Sequence, residues 1–471
     1  MKVSKSEFLA ASKPLLKKLV HQLSEQYGYV SVLGTDTKGK SFRVSRTGIE
    51  VNDYIFTERG FVVRIHNGVN YSEYSFNEIN EEKFNSIIEE IHHKLNKLAD
   101  GIKVNSYKII EEEELDKSFL GEVDIDPEQI SPEQVVRDLT AIRDEALKTS
   151  DLLVNFHANY SYIHVAKIFI SAKKDMEQSY ILGEGLLNSI ARREDKVKYF
   201  FAPVSGMRGY DVVRELQDLY PKVIEQSIRL LDAKAVVPGE YEVICSPDIA
   251  GLIAHEAFGH GVEMDMFVKG RAKGAEYLGK QVASIKTTLH EGAAAARHMS
   301  SYLFDDEGTL GTDTIVIKEG ILQTGISDLL SALQLGTEPT GNGKRETFER
   351  KAYARMTNTL FAAGTDRYED MIASVQKGYL IEGMYSGMED PKNWGIQCIA
   401  LVGSEIIDGK LTGNLISPVI MTGYVPEVLN SISMVSEEVF LDGVGYCGKG
   451  YKELVKTSNG GPYIKTKVRL G

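Results

Sequence analysis

Apolar residues recur at helical spacing in four stretches of the first half of the chain. Residues 4–27 carry an amphipathic pattern, and residues 80–98 place Phe84, Ile87, Ile88, Ile91 and Leu95 on one face. Residues 131–147 read as a helix with Ser131 as N-cap and Pro132 in the first turn, and residues 211–231 form a longer amphipathic run. Between these lie strand-like stretches at 29–34, 41–44, 48–51 and 60–65, then at 160–172 and 180–192. Turn signals at 37–40 and 66–68 separate the early strands. His92 and His93 fall off the stripe of their helix and are expected in solvent, as is the charge run Glu111 to Glu114.

The texture changes after the helix of residues 211–231. Glycines become frequent, strands shorten, and residues 314–322 and 404–411 read as hairpins, the second turning at Asp408-Gly409. The pattern predicts an α+β protein. An α/β N-terminal domain over residues 1–236 precedes a β-rich C-terminal domain over 237–471, which carries one short helix near residue 250.

At 471 residues the chain is long enough for two or three cores, and its 42% hydrophobic and 26% charged residues are ordinary for a globular protein. A net charge of −13 argues against direct nucleic-acid or anionic-membrane binding. No stretch approaches the roughly 20 apolar residues of a membrane span, and residues 1–23 lack the unbroken apolar core of a signal peptide. Cys245, Cys398 and Cys447 are too few for a disulfide framework, which fits a reducing, cytoplasmic setting. Cys245 and Cys398 sit in apolar runs and read as buried thiols, whereas Cys447 sits among glycines with Lys449 nearby, and a positive neighbour favours thiolate.

The short helix holds the candidate chemistry. Asp248 reads as its N-cap, Ile249, Leu252 and Ile253 form its apolar stripe, and His255-Glu256-Ala257-Phe258-Gly259-His260 follows one turn later. Neutral imidazole is the commonest zinc ligand, and a hydrolytic zinc keeps one position open for water. A glutamate beside a ligating histidine can take the proton of that water. The spacing is one residue longer than H-E-x-x-H, and helical positions five apart point about 140° away from each other. A π-bulge permitted by Gly259 would bring both histidines to one metal. Without it, Glu256 and His260 share a face and form a competing ligand pair. Structural histidines are the remaining alternative.

The run from His255 to Gly261, with Glu263 and Asp265 behind it, resembles the motif of the TldD/PmbA metalloprotease family, specifically its TldD-type subunit. Colinear matches follow at Asp305-Asp306-Glu307-Gly308-Thr309, at residues 339–346, at Arg355-Met356-Thr357-Asn358-Thr359 and at residues 443–449. The resemblance covers roughly residues 250–450; there the chain departs from the family's glycine-rich pattern over residues 382–394, and beyond it in a short, basic tail after Lys449. It implies His255, His260 and Cys447 as Zn²⁺ ligands and Glu256 as general base, hence a zinc metallopeptidase acting on unfolded or extended peptides. It also implies a dimer, either of like chains or with a homologous subunit lacking the motif. The alternative is a non-catalytic assembly or regulatory subunit of a protease complex.

Other features are secondary. Gly341-Asn342-Gly343-Lys344 lacks the spacing of a phosphate loop, so Lys344 and Arg345 are expected to structure a tight turn or to hold a peptide carboxylate. Asp305, Glu263 and Asp265 are candidates to orient the histidines from behind.

Overall fold

The structure, a computed structural model, describes residues 1–98, 106–449 and 452–471. Its N-terminal part is built on eight strands: β1 Tyr29–Ser45, β2 Gly48–Asp53, β3 Glu58–His66, β4 Tyr71–Phe76, β5 Leu115–Leu120, β6 Leu153–Ser171, β7 Lys174–Arg193 and β8 Lys196–Gly206. They pair in the order β4-β3-β1-β6-β7-β5, with β2 added to β1 and β8 to β7. Helices α1 Glu7–Ser24, α2 Phe84–Leu98, α3 Pro132–Lys148 and α4 Asp211–Arg229 match the four amphipathic runs. Ser6 caps α1 and Ser131 caps α3, each accepting a backbone N–H of the first turn.

Strand parity decides what each face of this sheet meets. Val30, Val32, Phe42 and Val44 of β1, with Phe156, Tyr160, Ile168 and Ile170 of β6, lie under the helices. The opposite parity, Leu33, Ile163, Val165 and Phe169, packs with Met299 and Phe304 of the C-terminal half. Buried charge reinforces this second contact: Arg64 reaches Glu307 at 2.5 Å and Glu73 at 2.7 Å, and Arg345 reaches Glu73 at 2.5 Å. The two basic groups outweigh the upward push of burial and hold the Glu73 carboxyl down at about 2.

Four local expectations are corrected. Residues 37–40 are not a turn; β1 runs straight through them, paired to β6, and a Cβ on Gly39 would lie 2.1 Å from the Tyr162 carbonyl oxygen. Strand β8, unforeseen, extends the sheet beyond β7. His92 is half-buried with Nδ1 2.6 Å from the Tyr27 hydroxyl, while His93 is exposed. Within the Glu111–Glu114 run, Glu112 accepts from Ser171 at 2.5 Å and pairs with Lys174 at 3.4 Å, leaving the other three at the surface. The Leu95 side chain lies outside the described residues, as do Gly450 and Tyr451 of the tail.

In the C-terminal half, β9 Gly239–Cys245 pairs in parallel with Lys377–Asp390 and antiparallel with the last strand, Ile464–Leu470. Ile464–Leu470 continues to Val419–Tyr424, that strand to Gly395–Ile407, and Gly395–Ile407 returns to Lys377–Asp390. The pairing closes on itself, so these five strands leave no free edge. Both expected hairpins are present, with Glu319-Gly320 and Asp408-Gly409 in left-handed conformations at their turns. Helix α5 Pro247–Phe258 follows β9 directly, and from Ile249 to Phe258 every residue is buried. The chain is α+β.

Candidate metal centre

Helix α5 starts two residues earlier than its sequence suggests. Ser246 is the N-cap residue and Pro247 occupies the first turn; Asp248 instead accepts the Met384 N–H at 2.6 Å, tying the helix to strand Lys377–Asp390. At the other end there is no π-bulge. The Gly259 N–H makes the last α-type bond, to His255 O at 3.1 Å, and a single 3-10 turn, His260–Val262, follows. The interval between the histidines is therefore not counted along one continuous helix. Their rings meet at 5.3 Å between centroids, nearly perpendicular at 89°. Gly259 is required sterically, because a Cβ there would lie 2.0 Å from Met356 Sδ and 2.3 Å from the His255 carbonyl oxygen.

Cys447 reaches the pair from 187 residues away, with Sγ 3.2 Å from His260 Nε2. It lies on strand Tyr446–Lys449, paired with Lys452–Lys456. Donor atoms of His255, His260 and Cys447 all fall within 4.8 Å of one another. Tetrahedral zinc with bonds of about 2.0–2.3 Å sets its ligand atoms roughly 3.4–3.8 Å apart, so the donors need only small adjustments to hold one ion. Buried His255 Nδ1 has no hydrogen-bond partner among the described residues. Burial would push the Cys447 thiol up, but the two imidazoles outweigh it and hold it well below its usual range, toward the thiolate that binds metal. Lys449, expected to do this, points elsewhere. The donor set fits zinc.

Beneath the cluster, His260 Nδ1 faces Glu263 Oε2 at 3.4 Å, which fixes the tautomer leaving Nε2 free toward Cys447. Glu263 is also paired with Lys449 at 3.2 Å and with the guanidinium of Arg355 at 3.3 Å. Arg355, fully buried, donates to Cys447 O at 2.7 Å and to Glu453 O, so one side chain clamps the cysteine hairpin onto the helix. Lys449 completes the network on Asp265 at 2.5 Å and Ala354 O at 3.0 Å. Burial pushes the Glu263 carboxyl up; Lys449, His260 and Arg355 prevail and hold it well below the carboxylate range.

Glu256 stands beside the donors, buried and without a side-chain hydrogen bond among the described residues. Burial raises its carboxyl, His255 and His260 pull it down, and Cys447 raises it again, with a net upward shift. Its room is made by Gly387, where a Cβ would meet Glu256 Cγ at 2.6 Å and Oε1 at 2.8 Å.

Residues 238–469 match the family model described as the PmbA/TldA metallopeptidase C-terminal domain. The chain belongs to the TldD/PmbA family. It is 28% identical over 324 residues to a metalloprotease of Methanocaldococcus jannaschii, covering 68% of this chain and 70% of that protein. It is 27% identical over 320 residues to a zinc metalloprotease TldD homolog of Saccharolobus solfataricus, covering 66% and 70%. TldE from Thermococcus kodakarensis shares the fold with a TM-score of 0.75, at 19% identity over 97% of this chain and 100% of that one. The TldD/PmbA family is a metallopeptidase family, and a zinc enzyme is named within it.

Against this family background the other candidate residues fall outside the centre. Lys344 lines a cavity of about 130 Å³ between the N-terminal sheet and the C-terminal half, but its ammonium is already spent on Ser300 Oγ, Met356 O and Lys456 O. Arg345 is paired with Glu73 across the two halves. Asp305 accepts the backbone N–H groups of Glu307, Thr309 and Gly343, shaping a loop and orienting neither histidine. Neither Lys344 nor Arg345 is therefore free for a peptide carboxylate.

Arg355, within the Arg355–Thr359 match, carried no expected role, and neither did Glu389 or Trp394. Glu389 lies on strand Lys377–Asp390 with both carboxylate oxygens buried and unpartnered, and buried Trp394 Nε1 also lacks a partner. Burial, with Glu256, Glu263 and Asp390, pushes the Glu389 carboxyl up to about 9 against the pull of His260. The only sequence signal was the departure of residues 382–394 from the glycine-rich family pattern. Among the described residues no helix is long and apolar enough to cross a membrane.

Proposed function

We propose that this chain is a TldD-type zinc metallopeptidase that hydrolyses unfolded or extended peptides. The observation that carries the reading is the convergence of His255, His260 and Cys447 donors within 4.8 Å, beside Glu256 with its unengaged carboxylate. When bound, zinc supplies a Lewis acid that acidifies water and polarises a carbonyl. The chain's own groups do the rest. Glu256 takes the proton of the attacking water and delivers it to the leaving amine. Its raised carboxyl makes it a stronger base than a solvated glutamate. Glu263 holds the tautomer of His260, and Arg355 holds the hairpin carrying Cys447, so the donors are in place before any ligand arrives.

The division near residue 236 is part of this proposal, supported by the start of the family match at residue 238. The N-terminal sheet would then help to enclose the peptide, and pairing with a like chain or with a motif-lacking homologue is supported by the shared fold with TldE. A cytoplasmic location is supported by three free cysteines, all buried. A non-catalytic assembly subunit would gain nothing from an unengaged buried glutamate next to a three-donor cluster. The test is cleavage of casein-derived peptides by zinc-loaded protein and by Glu256→Gln. We expect a loss of about 10²–10⁴-fold in kcat with zinc content unchanged; undiminished cleavage in the variant would overturn the assignment of the base.

A further inference from the structure

We infer that Glu389 and Trp394 form the subsite that receives the amino-terminal residue of a peptide, Glu389 taking its α-ammonium and the Trp394 indole its first carbonyl. This deepens the peptidase reading and rests on it.

The fold leaves two groups unsatisfied among the described residues. Among the described residues both oxygens of Glu389 are sealed from solvent with no donor, and Trp394 Nε1 is sealed with no acceptor. A buried polar group without a partner costs free energy, and native folds keep few of them. The two do not satisfy each other, because no hydrogen bond joins them. They face one spot instead: a Cβ built on Gly261 would lie 3.2 Å from Glu389 Oε1 and 3.9 Å from Trp394 Nε1. Glycine at 261, next to ligand candidate His260, keeps that spot clear.

The spot belongs to the centre. Strand Lys377–Asp390 that carries Glu389 also carries Gly387, which touches Glu256. Trp394 is held there under strain, at φ 62, a left-handed conformation that bulky residues rarely adopt. Phe258 and Tyr277 pack on its ring at centroid distances of 5.6 and 4.6 Å, and the Lys273 ammonium lies 5.1 Å from the ring centroid. The indole is therefore fixed in direction.

An acceptor with two free oxygens and a single donor, a few ångströms apart, describe a ligand carrying a cation beside a carbonyl. The first residue of any peptide has both. A lysine side chain has the cation alone. Recognition of the amino terminus next to Glu256 would direct cleavage to the first peptide bonds of a chain, so we assign an aminopeptidase mode.

The experiment is calorimetric binding to zinc-loaded full-length Glu256→Gln protein, with penta-alanine, N-acetyl-penta-alanine and N-acetyl-Ala-Ala-Lys-Ala-Ala as probes. The free-amine peptide should bind roughly tenfold or more tightly than its acetylated form, as expected for a charge-assisted hydrogen bond. Adding Glu389→Gln should erase the difference while zinc content stays the same. Equal affinity for the free and capped alanine peptides would overturn the proposal, as would no measurable binding of penta-alanine. A preference surviving in Glu389→Gln, or one for the capped lysine peptide, would also overturn it, the latter moving the cation to a side chain. Loss of zinc in Glu389→Gln would place the residue in the metal shell and overturn it too. The comparison of free with capped peptide needs no change at residue 389, so a variant that fails to fold leaves it decisive. Absence of zinc or of any cleavage by the wild-type protein would sink the peptidase reading separately.

Discussion

Glu263, buried, and Glu389, half-buried with its carboxylate oxygens sealed, both lie near His260, and their surroundings give them opposite characters. Glu263 has Lys449, Arg355 and His260 around it, and its carboxyl is held below the usual range. Glu389 has no ion pair among the described residues, and burial outweighs the pull of His260, raising it to about 9. The difference is one of partners, since both are removed from water. One carboxylate is completed by the fold and serves to hold a metal ligand; the other is left without a partner among the described residues. Structural and functional polar groups are separated here by whether the protein itself completes them.

Breaking the finished side should have the largest effect. Glu263→Gln leaves the buried Arg355 short of a counter-charge and takes one from Lys449, and we expect a loss of about 3–5 kcal/mol in stability. Zinc affinity should also fall by about 10–100-fold because His260 loses its anchor. Denaturant titration and a competitive chelator assay measure the two. A smaller effect is expected at the wall shared by Glu256 and Glu389. Gly387→Ala places a methyl 2.6 Å from Glu256 Cγ and must displace it. Activity should fall by about 10–100-fold with zinc retained, since small misplacements of a catalytic group are costly.

The smallest effect has the opposite sign and sharpens the contrast. The Glu389 carboxyl has a higher pKa folded than unfolded, so the folded state binds the extra proton. The stability it contributes is complete below about pH 4.5 and is lost progressively as pH rises to about 9. Glu389→Gln removes that decline. Thermal melts across this range should show the variant gaining on the wild type as pH rises. For Glu263 the sign reverses: its depressed carboxyl contributes stability above the ordinary carboxylate range that is lost on acidification.

The sequence made the helices legible because each shows one apolar stripe to one sheet face. The stripes of α1 to α4 needed no knowledge of their partners. The strands were harder. Residues 37–40 look like a turn by composition, yet β6 supplies a full ladder of backbone partners that overrides the local signal. The donor set was legible through the motif and the family resemblance, but how the histidines meet was not. A helix end at Gly259, followed by a single 3-10 turn, stands where the bulge was expected. Arg355, Lys449 and Glu389 owe their roles to contacts across roughly 90 to 190 positions of chain, which no local pattern records.

The central claim is that His255, His260 and Cys447 together hold zinc. Elemental analysis of purified wild-type protein and of Cys447→Ser, prepared side by side, tests it most directly. About one zinc per chain is expected in the wild type, and its loss or marked weakening in the variant. A wild type that holds no metal after zinc loading, or a variant that holds as much as the wild type, would contradict it.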